Sequence, residues 1–315
     1  MMALAFVFPG QGSQSIGMLA DLGNEYSVVK DTFHTASNAL GYDLWDVVQQ
    51  GPADKLNQTD VTQPAMLSAG VAAWRVWQEK HGVPPVVMAG HSLGEYTALV
   101  CAGSLAFEDA VTLVADRGRF MQEAVPVGEG AMAAILGLDD DAVEQACAQA
   151  VDGDVVHAVN FNSPGQVVIA GNASAVERAV ENAKQAGAKR AVMLPVSVPS
   201  HCQLMEPAAH YLAERLQKVE IKVPTIDVIN NVDVQIEADP DAIKDALVRQ
   251  LCNPVQWVKT IQKMSADGVD TLVECGPGKV LAGLNKRIDK KLATYAIYSN
   301  DTIEAVLTAI TGEGA

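Results

Sequence analysis

The first apolar run, ALAFVF at 3–8, halts at Pro9-Gly10 and predicts a short buried strand entering the polar loop GQGSQ. Apolar positions then recur at helical spacing over 24–40 and 43–50. The dense run QPAMLSAGVAAWRVWQEK at 63–80 predicts a buried helix. PPVVMA at 84–89 reads as a second strand, GEYTALVCAG as a helix closing at Gly103, and Phe107 to Glu123 as a further helix.

The pattern changes at VPVGEG, 125–130. Strands are predicted at 131–138, 155–162, 166–171 and 191–197, with helices at 139–150 and 173–187. The first of these helices opens on acidic residues that its dipole favours. A β-α-β-β-α-β order over about 70 residues is the ferredoxin-like pattern. Beyond Pro199 the alternation resumes, with helices at 203–217, 239–251, 254–266 and 278–289 and strands at 225–229 and 269–274. The expected fold class is α/β: a larger body from 1–126 and 199–315, with a smaller ferredoxin-like domain inserted over 127–198. A cleft between the two is the natural place for a substrate.

Composition narrows the function classes. The 315-residue chain carries 38 acidic residues against 22 basic ones, a net charge of −16, so nucleic acid and anionic membranes are poor partners. Five cysteines, at 101, 147, 202, 252 and 275, form no CxxC pair, which argues against a disulfide framework or a zinc site and for a reducing, cytoplasmic setting. The N-terminal stretch lacks the basic residues of a signal peptide, and no apolar run approaches the ~18 residues of a membrane span.

The chemistry centres on GHSLGEY at 90–96. Gly-x-Ser-x-Gly alone is weak, but here a strand precedes it and a helix follows, the setting in which a serine sits on a sharp elbow with its hydroxyl exposed. A plain glycine-rich turn is the alternative. A serine nucleophile needs a base. Of six histidines, His34 and His81 read as surface residues, His157 lies on a strand of the insert, and His210 on a helix face. His91 suits packing or substrate contact. His201, in the proline-stiffened loop LPVSVPSHC, is the candidate base.

FPGQGSQ at 8–14, QPA at 63–65, GHSLGEY, Arg117 in ADRGRFMQ, NSPGQVVIAG at 162–171, PVSVPSHC at 195–202, NPVQW at 253–257 and ECGPGK at 274–279 together resemble the malonyl-CoA:acyl-carrier-protein transacylases of dissociated fatty-acid synthesis. The resemblance implies an α/β-hydrolase-like body with a ferredoxin-like insert. It implies Ser92 as the acylated nucleophile, His201 as general base, and the backbone N–H groups of Gln11 and Leu93 as an oxyanion hole. Arg117 would grip the malonyl carboxylate, and Gln250 would orient the histidine through its backbone carbonyl in place of a third acid. Cys202 stands where such chains often have serine, a change expected to matter little. Malonyl-CoA and acyl carrier protein are the implied partners, with no cofactor and a monomeric state. Lys189-Arg190 and Lys286-Arg287 are candidate docking points for an acidic carrier.

Competing readings are a serine hydrolase, which would use an acidic triad partner and have no need of Arg117, and a carrier-protein-binding module with a dead site. For Arg117, the structural alternative is a surface pair with Asp116 or Glu123. GQGSQS lacks the third glycine of a dinucleotide loop, GPGK lacks the spacing of a phosphate loop, and Asp139 to Asp141 suit a helix N-terminus better than a metal.

Overall fold

The computed structural model describes residues 3–196 and 198–311. Ser197, at the end of the strand predicted over 191–197, lies outside the described residues, as do Met1 and Met2 of the N-terminal stretch. β1 (Leu4–Phe8) is buried throughout and pairs in parallel with β2 (Val87–Gly90). The chain then builds a separate antiparallel sheet from β3 (Gly130–Leu136), β4 (Val156–Ser163), β5 (Gln166–Asn172) and β6 (Arg190–Met193), in the order β4-β5-β3-β6. It returns to the first sheet with β7 (Asp227–Ile229), β8 (Thr271–Cys275) and β9 (Ala293–Ile297), giving the all-parallel order β7-β2-β1-β8-β9.

β1 shows why its run is continuously apolar. Leu4, Phe6 and Phe8 face one core, where Phe6 meets Trp74 and Trp77 of the helix Thr59–Glu79. Ala5 and Val7 face another, shared with Trp257, Ile261 and Leu284. A parallel strand covered on both faces reads as a near-continuous apolar run.

The insert has the β-α-β-β-α-β order read from the sequence. One face of its sheet packs on the helices Asp140–Ala148 and Ala173–Gln185. On the other face, Met132, Val159, Val168 and Ala170 cluster with Cys202, so the sheet backs the loop that carries His201. The insert also touches the segment before Trp257, where Phe161 N–H donates to the Val255 carbonyl and Val255 N–H to the Val159 carbonyl.

Topology locates the crevice. From β1 the chain steps outward through β2 to β7, then crosses back to β8 and β9. At such a switch point the loops leaving the carboxyl ends of neighbouring strands surround a ready-made binding crevice. The loops after β1, β2 and β7 carry Gln11, Ser92 and Asn231 respectively.

Some boundaries differ from the pattern. The helix predicted from Gln63 begins at Thr59 and runs through Pro64, because its packing against the helix Phe107–Ala124 outweighs the proline's preference for a first turn. The chain after 289 adds β9 and the helix Asn300–Thr311. Among the described residues, no helix is long and apolar enough to cross a membrane.

Candidate active site

β2 stops at Gly90, and after three intervening residues the helix Gly94–Cys101 begins. This turn is tight enough that Gly94 lies against the Phe8 carbonyl, where any Cβ would overlap it. Ser92 is forced into a left-handed backbone with φ 52°. Its Oγ lies 2.8 Å from His201 Nε2.

His201 also has positive φ, 66°, and is buried. Its Nδ1 is 2.7 Å from the backbone carbonyl of Gln250, the last residue of the helix Pro240–Gln250. That carbonyl is one of the acceptors a helix end leaves unpaired, and it can only accept. The bond therefore assigns the ring proton to Nδ1 and leaves the Nε2 lone pair facing the serine hydroxyl. Burial, and secondarily the Arg117 charge, push the imidazole down to about 3, so it is neutral at physiological pH. The negative end of the helix dipole faces the ring and favours the imidazolium that forms when a proton arrives.

Arg117 comes from the apolar side of the helix Phe107–Ala124 and is only 1% exposed. Its Nη1 donates to Gln63 Oε1 at 2.8 Å and its Nη2 to Gln250 Oε1 at 2.9 Å. The same Nη2 lies 3.4 Å from Ser92 Oγ, and the guanidinium stacks 5.4 Å from the centre of the Tyr96 ring. The surface pairing with Asp116 and Glu123 belongs instead to Arg119. Among the described residues no carboxylate lies within ion-pair distance of Arg117, and its Nε–H has no acceptor.

Gln11 follows β1 in a loop pressed against the elbow: a Cβ at Gly10 would stand 2.5 Å from the His91 carbonyl oxygen. Leu93 is buried at the cap of the helix Gly94–Cys101. The backbone N–H groups of Gln11 and Leu93 engage no acceptor among the described residues. Ser92, His201, Arg117 and Gln250 are thus linked by direct hydrogen bonds, while Leu93 directly follows Ser92 and Gln11 follows Gly10, which abuts the His91 carbonyl.

Residues 5–298 match the model of the acyl transferase domain. The chain is 61% identical to the malonyl CoA-acyl carrier protein transacylase of Escherichia coli strain K12 over 307 residues, 98% of this chain and 99% of the relative. The chain belongs to the malonyl-CoA:acyl-carrier-protein transacylase family. It is similar in structure to an acyl carrier protein S-malonyltransferase from Vibrio cholerae, with a TM-score of 0.95 and 60% identity, covering 96% of this chain and 99% of that one. It is likewise similar to a malonyl-transacylase solved in complex with its type II PKS acyl-carrier protein, with a TM-score of 0.97 and 56% identity over 98% of this chain and 99% of that one.

Within this family frame, three residues at the site carried no role in the sequence reading. Gln63, seen there only as part of QPA, holds Arg117. Glu95, seen only as part of the elbow motif, is 2% exposed, and its Oε2 accepts from Gln250 Nε2 at 2.8 Å and from Asn231 N–H at 2.9 Å. Asn231 belongs to none of the motifs: its Oδ1 accepts from Ser92 N–H at 2.7 Å and its Nδ2 donates to the Gly90 carbonyl at 2.6 Å. Two asparagines after a strand read as a turn, and nothing local points them at residue 92. His91 packs on Trp257, with Nε2 at 2.8 Å from Asn162 Oδ1 of the insert. His157 and His210 are exposed.

Proposed function

We propose that this chain transfers the malonyl group from malonyl-CoA to the phosphopantetheine thiol of acyl carrier protein through a malonyl-Ser92 ester, supplying malonyl-carrier for fatty-acid elongation. One observation carries the reading: a single hydroxyl oxygen lies 2.8 Å from a neutral histidine nitrogen and 3.4 Å from a buried guanidinium. The first contact supplies a base, and the second supplies a cation beside the acyl group.

In the first half, Ser92 Oγ attacks the thioester carbonyl carbon while its proton passes to His201 Nε2, a transfer worth about 10² to 10⁴ in rate. The oxyanion is received by the N–H groups of Gln11 and Leu93, each such donor contributing roughly 3 kcal/mol. Collapse of the intermediate breaks the C–S bond, and the CoA sulfur takes the proton from His201. In the second half the carrier thiol gives its proton to His201 and attacks the ester, and Ser92 recovers the proton as it leaves.

Arg117 selects malonyl over acetyl by pairing with the free carboxylate. Its hydrogen-bond partners are two amide oxygens and, at 3.4 Å, the Ser92 hydroxyl, and among the described residues no carboxylate lies within ion-pair distance, so a direct place for the malonyl carboxylate remains. The carboxylate would also screen Arg117 from His201, removing one of the three influences, with burial and His91, that lower the imidazole's basicity. A hydrolase reading calls for an acid on the histidine, whereas here a backbone carbonyl occupies Nδ1. The proposed chemistry needs no cofactor. Five free thiols suit a reducing cytoplasm, and a monomer suffices because every proposed group comes from one chain.

Both basic pairs favour one docking face for the acidic carrier. Leu136 of β3 is register partner to both Arg190 and Gln166, and Gln166 Oε1 accepts from Arg287 Nη1 at 2.9 Å. Arg190 and Gln166, the partner of Arg287, therefore flank Leu136 at the same end of the insert's sheet. Charge reversal of Lys189-Arg190 and Lys286-Arg287 should weaken carrier-protein kinetics while sparing acylation by malonyl-CoA.

The deciding experiment incubates the enzyme with malonyl-CoA or acetyl-CoA, with and without carrier protein, and separates transfer from hydrolysis. The expected outcome is a malonyl adduct on Ser92, absent in Ser92→Ala, that discharges to the carrier and far outpaces acetyl. Undiminished labelling of Ser92→Ala, or hydrolysis exceeding transfer, overturns the reading.

A further inference from the structure

We propose that Asn231, held in turn by Glu95, is a positioning residue for the nucleophile, fixing the backbone of Ser92 so that its hydroxyl meets His201. The inference rests on Ser92 being the acylated residue.

The need arises at the elbow. β2 and β7 pair in parallel with Ala89 opposite Ile229, and there the ladder ends. Beyond it the backbone of residues 90–92 turns sharply while still presenting N–H and C=O groups that must be satisfied. Asn231 continues the pairing with its side chain. A primary amide has both a donor and an acceptor, as a backbone peptide does. Nδ2 donates to the Gly90 carbonyl and Oδ1 accepts from the Ser92 N–H, so one side chain staples the residues on either side of His91.

That staple matters because Ser92 carries a side chain in a left-handed conformation, φ 52°, that a Cβ disfavours. Such a conformation persists only where its surroundings over-determine it. Both polar groups of Ser92 are held: the N–H by Asn231, and the carbonyl by Gln250 Nε2 at 3.1 Å and Glu95 N–H at 3.1 Å.

Glu95 then ties the staple to the rest of the site. One carboxylate oxygen accepts from Asn231 N–H and from Gln250 Nε2. Gln250 reaches Arg117 with its side-chain oxygen and His201 with its carbonyl. A single buried carboxylate thus registers the elbow, the base and the arginine against one another, although it touches none of the reacting atoms.

The test uses single-turnover acylation of the full chain by malonyl-CoA, with malonyl-Ser92 followed by mass spectrometry. Asn231→Ala should slow acylation at saturating malonyl-CoA ~100-fold, the scale of a nucleophile misplaced by about 1 Å. Half-saturation should stay within about threefold, because Gln63 and Gln250 still hold Arg117. Asn231→Asp, which is isosteric and keeps an acceptor for Ser92 N–H but loses the donor to Gly90, should slow acylation at least ~tenfold with the same half-saturation. Its shape keeps the measurement available if Asn231→Ala does not melt cooperatively. Acylation within threefold of the parent in a cooperatively melting variant overturns the proposal. So does a loss carried by half-saturation. If the parent itself forms no adduct at Ser92, it is the nucleophile assignment that has failed. If the parent labels and the variants label equally fast, only the positioning role falls.

Discussion

Arg117 and Arg119 stand two residues apart on the helix Phe107–Ala124, yet their surroundings are opposite. The Arg119 side chain is 49% exposed and reaches the carboxylates of Asp116 at 3.0 Å and Glu123 at 3.5 Å. Arg117 is 1% exposed and is held by two glutamine oxygens and an aromatic face. A cation removed from water without a counter-ion is costly by several kcal/mol. Burial accordingly lowers the Arg117 pKa from its ordinary value. The contrast teaches that a cation satisfied at the surface has nothing to offer a ligand, whereas one desolvated among neutral acceptors retains its affinity for an anion.

The strongest way to break this contrast is to remove the buried cation. Arg117→Ala should lower kcat/KM for malonyl transfer ~10³-fold, about 4 kcal/mol, and acetyl transfer less than ~tenfold. Equal losses on the two acyl groups would leave the carboxylate role without support. Gln63→Glu gives Arg117 the counter-ion it lacks. Malonyl KM should rise ~30-fold with acetyl transfer nearly unchanged, since only the charge offered to the carboxylate is consumed. An unchanged malonyl KM would show that the neutral amide is incidental.

Acidity sharpens the comparison by a smaller amount. In the free protein His201, pushed down to about 3, stays neutral from pH 8 to 5. Glu95 is raised to about 7 by burial, and Asp233 adds to the rise, against the lowering pull of Gln250, Asn231 and Arg117. As pH falls through that value the carboxylate gains a proton and its two accepted hydrogen bonds weaken. Malonyl kcat should therefore decline severalfold, up to about tenfold, between pH 8 and 6, and the Glu95→Gln profile should be flat over that interval. A limb of parental size in Glu95→Gln would assign the titration elsewhere. The smallest effect belongs to the surface: Arg119→Ala should change stability by no more than about 0.5 kcal/mol and leave kcat/KM within about twofold, as a thermal melt and a transfer assay would show.

Much of this was legible along the chain. The insert's strands and helices follow from local alternation, and its four-stranded sheet has the expected connectivity. The burial of Arg117 was legible in principle: it continues the stripe Ala110, Leu113, Val114 and precedes Met121 at helical spacing, so the charge falls where an apolar residue belongs. The helix Asn300–Thr311 carried a similar stripe, Ile303, Val306, Leu307 and Ile310, whereas the short, half-buried β9 carried little signal of its own. Asn231, Gln63 and the side chain of Gln250 were not readable as partners, because a polar residue at a turn or helix end looks the same whether it faces water or a guanidinium.

The amino-acid order alone determined the alternation of strands and helices, the sharp turn at Ser92 and the change of grammar at the insert, since each depends on steric and hydrophobic preferences acting within a few residues. Tertiary structure decided which atoms meet. Residues 92, 117, 201, 231 and 250 come from separate segments, and a hydrogen bond is made or lost over less than 1 Å. That distance is set by the crossing of β1 between its neighbours and by the packing of the insert behind His201, which no local spacing encodes.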